Sequence, residues 1–318
     1  MNNEEIQFES MTTALEESLL GLAKKHRGLV VLNADFGERL GLNKFSSAFS
    51  ERIFNFGLAE NNMVAASCGF AATGKVPFIV GLSNFCVGRT WEIIRNCICY
   101  PNLNVKFIGF GTGIFEGEDG VGYQATEDIA LTNVLPNMKV VCPADYYEAK
   151  SAIDAAFMEF GPVYLRMTDK ILPVIYDENY KFQIGKASVL QEGDDICVFT
   201  CGAVISQVLE AVKLLETDGL KATVVNVSSI KPIDKETILK YASGKKACFS
   251  VEDHSVIFGM GSAVNRVLTE NGLNGLRKIG IRDRFAESGK SISLYKKYGL
   301  SADEIYVIIK VESLPKSL

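Results

Sequence analysis

Apolar strand-like runs alternate with helical stretches twice along this chain, and the alternation breaks once, over residues 169–188. In the first series the runs at 29–32, 52–57, 76–82, 104–111, 138–145 and 161–167 read as strands. Helical patterns occupy 11–26, 57–74, 89–100, 126–135 and 146–160. VPFIVGL at 76–82 is continuously apolar, as in a parallel strand buried on both faces. Thr126 is a plausible N-cap, with Glu127 and Asp128 in the following first turn. In the second series, strands at 195–202, 221–230, 246–254 and 276–283 alternate with helices at 205–219, 234–244, 262–272 and 301–311. Asp234 is the expected N-cap of its helix. This alternation predicts an α/β protein of two open, mainly parallel α/β sheet domains. The expected boundaries are 1–170 for the first domain, 171–188 for a linker and 189–318 for the second.

A length of 318 residues fits two domains at ~100–200 residues each. A net charge of −5 disfavours nucleic acid as a partner, because such binders present a basic face. No apolar run reaches the ~20 residues that span a bilayer, so no membrane partner is expected. The start MNNEEIQFES lacks the basic-then-apolar layout of a signal peptide, and a cytoplasmic location is expected. The chain has eight cysteines and two histidines, His26 and His254. The one close cysteine pair, Cys97-Ile98-Cys99, lacks zinc or thioredoxin spacing, so reduced, mostly buried thiols are expected. With so few histidines, a metal site on this chain is not expected.

The chain has no GxxxxGK[ST] loop, no GxGxxG between strand and helix and no GxSxG elbow. Gly109-Phe110-Gly111-Thr112-Gly113 reads as a flexible strand-to-helix loop or, less simply, as a phosphate cradle. Glu60 lies between apolar Leu58-Ala59 and Met63-Val64-Ala65-Ala66. A carboxylate in apolar surroundings holds a proton more readily and suits acid–base work. Equally, a first-turn glutamate favours the helix dipole. Phe85, after the next strand, is either a core aromatic or a stacking platform.

GLAENNMVAASCGFAATGKVPFIVGLSNFCVGRTWEIIRN (57–96) resembles the pyrimidine-binding domain of transketolases. NLNVKFIGFGTGIFEGEDGVGYQATEDIALTNVLPNMKVVCPADYYEA (102–149) continues the likeness. IKPID (230–234), SVEDHSVIFGMGSAV (250–264) and IGIRDRF (279–285) are similar to the transketolase C-terminal domain. The resemblance covers nearly the whole chain. It implies a thiamine-diphosphate enzyme moving a two-carbon ketol unit between a ketose and an aldose. Glu60 matches the family's catalytic glutamate, which bonds N1′ of the cofactor's aminopyrimidine. Phe85 matches the aromatic that stacks on that ring, Leu82 a second wall of the pocket, and Asp35 the strand end near the cofactor.

The family holds the diphosphate through Mg²⁺ on a GDG motif followed roughly 30 residues later by Asn, and this chain has no GDG. The resemblance therefore implies one subunit of a split enzyme. An N-terminal partner subunit would bring the Mg²⁺ ligands, in an α₂β₂ assembly acting on sugar substrates. Departures from the family bear on the substrate. Tyr123 stands for a family His, Gly111 for another, and Asp169 aligns with a phosphate-gripping Arg. Asp119 is kept where the family touches donor hydroxyls, while Arg39, Arg89 and Arg95 are the candidates to replace the lost phosphate contacts. Unusual or modified sugars follow as one expectation. Two alternatives stay open: a deoxyxylulose-phosphate-synthase-like or 2-oxoacid-dehydrogenase β-type subunit acting on an oxoacid, and a non-catalytic assembly subunit. His254 is read as a structural hydrogen-bonder.

Overall fold

The computed structural model describes residues 7–313. The chain divides into two compact units: residues up to Thr112 with Leu131–Ile184, and Gly113–Ala130 with the residues from Gly185 onward.

In the first unit a parallel sheet is built from β1 (Leu29–Asn33), β2 (Ile53–Asn55), β3 (Val76–Leu82), β4 (Lys106–Phe110), β5 (Lys139–Val141) and β6 (Val163–Arg166). They lie in the order β5-β6-β4-β3-β1-β2, and every neighbouring pair is parallel. β1 and β4 are buried along their whole length, as the unbroken apolar runs require of a sheet covered on both faces. Helix α1 (Met11–Lys25) is capped by Ser10, whose hydroxyl accepts from Thr12 N–H at 3.1 Å. Leu15, Leu19 and Leu22 of α1 are buried, and α1 packs against α3 (Tyr146–Met158). Helix α2 (Glu60–Ala72) follows β2 and packs on β3. Its small residues permit that close approach, as the run of Ala, Gly and Ser suggests.

The second unit builds a sheet from β7 (Ser188–Gln191), β8 (Ile196–Thr200), β9 (Ala222–Asn226), β10 (Ala247–Ser255) and β11 (Arg277–Ile281). The order is β11-β10-β8-β9-β7, parallel throughout except for the antiparallel β7–β9 pair. Val198, Val224, Phe249 and Val251 form the core with Val208, Val212 and Leu215 of helix α4 (Ile205–Thr217). Helix α5 (Lys235–Ala242) starts at the expected cap, where the Asp234 carboxylate accepts from Thr237 N–H at 3.1 Å. Helix α6 (Met260–Glu270) follows β10, and helix α7 (Ala302–Ser313) ends the described chain.

Several local expectations change. The helix expected over 126–135 is only Asp128–Asn133, and the Thr126 hydroxyl bonds Glu127 Oε2 at 3.0 Å instead of capping it. The helix expected over 89–100 is three α-helical residues, Trp91–Ile93, joined to a π-helical turn at Ile94–Cys99. The stretch 169–188 is not wholly irregular, because Ile171–Pro173 pairs antiparallel with Phe8–Ser10. Short helices at Asn43–Ala48 and Ser291–Lys297 have too few periodic positions to stand out in sequence. None of the eight cysteines is in a disulfide, and five of them are buried. Among the described residues no helix is long and apolar enough to cross a membrane.

Candidate functional site

In the first unit the site grows from the C-terminal ends of three neighbouring parallel strands, where such sheets place their ligands. β1 ends at Asn33, and two residues later Asp35 takes a left-handed backbone at φ 68°. Asn55, at the end of β2, holds this turn. Its Oδ1 accepts from Asp35 N–H at 3.0 Å, while its Nδ2 donates to Asp35 Oδ1 at 2.9 Å. The same Oδ1 accepts from Gly57 N–H at 3.0 Å, so one amide also fixes the chain leading into α2. Glu60 is the first residue of α2 and only 3% exposed. Asp35 and Asn55, with Gly37, Glu38, Asn43 and Ser46, line a cleft of about 520 Å³.

β3 ends at Leu82, which is buried and paired in register with Phe110. Ser83 follows, with its hydroxyl 2.9 Å from that of Tyr164. A π-helical turn, Asn84–Gly88, then presents Phe85, which is half-buried with its ring centroid 6.4 Å from that of Phe36. Arg89 closes the group. Its Nη1 donates to Glu60 Oε2 at 2.7 Å, and its guanidinium lies 4.7 Å from the Phe85 ring centre. The Glu60 side chain is 4% exposed, whereas that of Arg89 is 49% exposed. A buried carboxylate is thus met by a cation that can leave for solvent. The sequence reading set Glu60 in apolar surroundings; the structure adds this guanidinium, which strand and helix patterns do not reveal.

Arg39 Nε and Nη2 both reach Asp169 Oδ2, at 3.2 and 3.1 Å. The arginine considered for phosphate is therefore held by the Asp169 carboxylate. Arg95 lies in the π-helical turn with Nη1 2.5 Å from Asn96 Oδ1. Glu60, Leu82, Phe85, Arg89, Asp35 and Arg39 all belong to the first unit. Asp119, exposed, and Tyr123, half-buried, lie in the 113–130 segment that groups with the second unit.

The glycine-rich loop is explained by packing. A Cβ on Gly109 would stand 2.3 Å from Ser83 Oγ and 2.7 Å from Tyr164. Gly113 sits at φ 65°, and a Cβ there would stand 2.0 Å from the Asp253 carboxylate. Asp253 Oδ1 already accepts from Ile114 N–H at 3.0 Å, so this loop amide is spent on a carboxylate. His254 is fully buried, with Nδ1 2.7 Å from Ser255 O and Nε2 3.7 Å from Asp128 Oδ1.

The residues present fit one end of thiamine diphosphate. Glu60 offers a buried carboxylate linked through Arg89 to the Phe85 ring, which suits a protonatable flat heterocycle. Among the described residues no cluster of three or more His, Cys, Asp or Glu is placed to hold a metal ion.

Comparison with known proteins agrees with this layout. The family descriptions "Transketolase, pyrimidine binding domain" and "Transketolase, C-terminal domain" match residues 9–174 and 185–305. A "Putative transketolase C-terminal section" from Methanocaldococcus jannaschii is 42% identical, over 94% of this chain and 94% of its own length. The "6-deoxy-6-sulfo-D-fructose transketolase subunit SqwH" of a Clostridium species (strain MSTE9) is 35% identical, over 90% of this chain and 89% of its own. A solved structure described as "Split gene transketolase, inactive beta4 tetramer" superposes with a TM-score of 0.88 at 38% identity, covering 95% of this chain and 97% of that one. With both domain descriptions matched in order along one chain, this protein belongs to the transketolase family.

Proposed function

We propose that this chain is the β-type subunit of a split, thiamine-diphosphate-dependent transketolase, transferring a two-carbon ketol unit between a ketose and an aldose. The observation that carries the reading is Glu60. It is buried at the first turn of α2, and the Arg89 guanidinium that it accepts from also lies over the half-buried ring of Phe85. When bound, thiamine diphosphate supplies the electron sink that C–C cleavage of a ketose needs. The protein's part is to hold and time it. Glu60 holds and returns a proton at N1′ of the aminopyrimidine, Phe85 fixes the ring plane, Leu82 backs the pocket, and the Asp35 turn closes it. Arg89 must swing off Glu60 and Phe85 to admit the ring, and its exposed side chain has solvent to move into.

The diphosphate and Mg²⁺ fall to an N-terminal partner subunit in an α₂β₂ assembly, a reading supported by the likeness to a relative named a transketolase C-terminal section and to a split-gene transketolase. Asp119 and Tyr123 are proposed for substrate hydroxyls, and Arg89, once freed, for an anionic group. Arg39 is a weaker candidate, because Asp169 already holds it on both nitrogens. A carboxylate at Asp169 also repels a substrate phosphate. A sugar with a different or repositioned anionic group fits better, in line with the sulfosugar named for the Clostridium relative. The domain boundaries 1–170, 171–188 and 189–318 and a cytoplasmic location remain part of this proposal.

The test is reconstitution with a subunit carrying GDG and the later Asn, followed by a screen of phosphorylated and modified ketoses. Glu60→Ala should assemble normally and lose at least ~10²-fold in turnover, the scale of removing a general acid–base group. Transfer from an oxoacid in place of a ketose would move the assignment to the synthase-like or dehydrogenase-like alternative. No activity with any partner, ketose or oxoacid would favour the assembly-subunit alternative.

A further inference from the structure

The second unit holds a pocket that the transketolase reading does not use. It lies where α6 passes the edge strand β11, and encloses about 690 Å³. Its walls include Ile257, Phe258, Ser262, Arg266, Thr269 and Lys278. Two features point to a ligand. The first is charge: the pocket presents two cations and none of its lining side chains is a carboxylate, in a chain of net charge −5. Lys278 Nζ is fixed, donating to Val256 O at 3.2 Å and Ser262 Oγ at 2.7 Å. Arg266 is exposed, and its guanidinium has no hydrogen bond or ion pair among the described residues.

The second feature is strain. Phe258 has φ 60° and is 72% exposed. A bulky residue in the left-handed region costs roughly 1–2 kcal/mol, and an exposed ring recovers none of that by burial. Its N–H donates to Ser262 Oγ at 3.0 Å, the same hydroxyl that Lys278 reaches, so the strained turn and the ammonium share one anchor. Such strain is retained where the conformation serves a site.

We propose that this pocket binds a small organic anion bearing a flat ring, of the nucleoside monophosphate class. The anion meets Arg266 and Lys278, and the ring lies on Phe258. A volume of this size suits such a ligand. All of its lining residues belong to the second unit, whereas Glu60 belongs to the first.

The test is calorimetric titration of the full chain with adenosine monophosphate, inorganic phosphate and adenosine. The expected order has the monophosphate tightest, phosphate weaker and adenosine weakest. Arg266→Ala removes an exposed side chain without touching the core, and should weaken monophosphate binding about tenfold or more. Phe258→Gly keeps the backbone turn and removes the ring, and should bring the monophosphate down to the level of phosphate. Absence of monophosphate binding at millimolar concentration overturns the proposal. So does binding unchanged by Arg266→Ala, which places it elsewhere, or an advantage over phosphate that survives Phe258→Gly.

Discussion

Replacing Arg89 by Ala leaves the Glu60 carboxylate buried without its cation. A buried charged group stripped of its hydrogen-bond partner costs about 1–3 kcal/mol. Arg89→Ala should therefore lower unfolding free energy by that amount at pH 7, and by far less in a Glu60→Gln background. Equal losses in both backgrounds would show that the pair is not coupled. Lys106 makes a different kind of test. It is fully buried at the start of β4, with Nζ 2.5 Å from Glu159 O and 2.7 Å from Gly161 O. Burial, helped by the nearby Lys139 charge, pulls its ammonium down to about 7. The group is an ordinary lysine, with a pKa near 10.5, when unfolded, so the unfolded chain binds more protons between pH 7 and 10.5 and stability rises with pH there. The two carbonyls favour the protonated form and reduce the rise. Denaturant titrations at pH 7 and pH 9.5 should show that gain in the wild type and a smaller one in Lys106→Met. At this scale the sequence singled out Glu60 by its apolar neighbours and Phe85 by its place after the next strand, and the family likeness then suggested their roles. It did not mark Arg89 as their shared partner or Asn55 as the clasp on Asp35, because both contacts join separate elements and leave no periodic trace.

The strands and long helices of this protein were legible because burial on both faces writes unbroken apolar runs, and amphipathic packing writes a helical period. β3, β4 and β8 appear where those runs lie. The π-helical turns at Asn84–Gly88 and Ile94–Cys99 were not legible, since widening a turn by one residue preserves the composition that a helix shows. The first of these turns carries Phe85 and sets Arg89 beside it, so the unread irregularity is what shapes the candidate site. The β3–β4 neighbourhood offers a direct check. Gly81 and Gly109 pair in register, and Ser83 and Tyr164 fill the space over Gly109. Gly109→Ala should cost about 1–3 kcal/mol by overpacking, measured as a lowered melting temperature. Ser83→Ala in the same chain should recover part of it, whereas recovery by neither Ser83→Ala nor Tyr164→Phe would refute the packing account. At α5, Asp234→Ala removes bonds to Thr237 N–H and to Ala187 N–H, and should cost about 1–2 kcal/mol.

At the scale of the molecule, two α/β units and the family were readable from alternation and motif. The assignment of residues 113–130 was not: the segment follows β4 in sequence yet groups with the second unit. The likeness to a transketolase C-terminal section and to a split-gene transketolase supports the proposal of a site completed by another subunit. The chain alone should then bind thiamine diphosphate weakly or not at all, and Mg²⁺ should add little. The most direct measurement is ketol transfer by this chain reconstituted with a GDG-bearing subunit, wild type beside Glu60→Ala, with cofactor binding followed by circular dichroism. The account predicts transfer and a cofactor signal only in the pair, and a Glu60→Ala pair that assembles but does not turn over. Full activity in Glu60→Ala, or tight Mg²⁺-dependent cofactor binding by this chain alone, would contradict it.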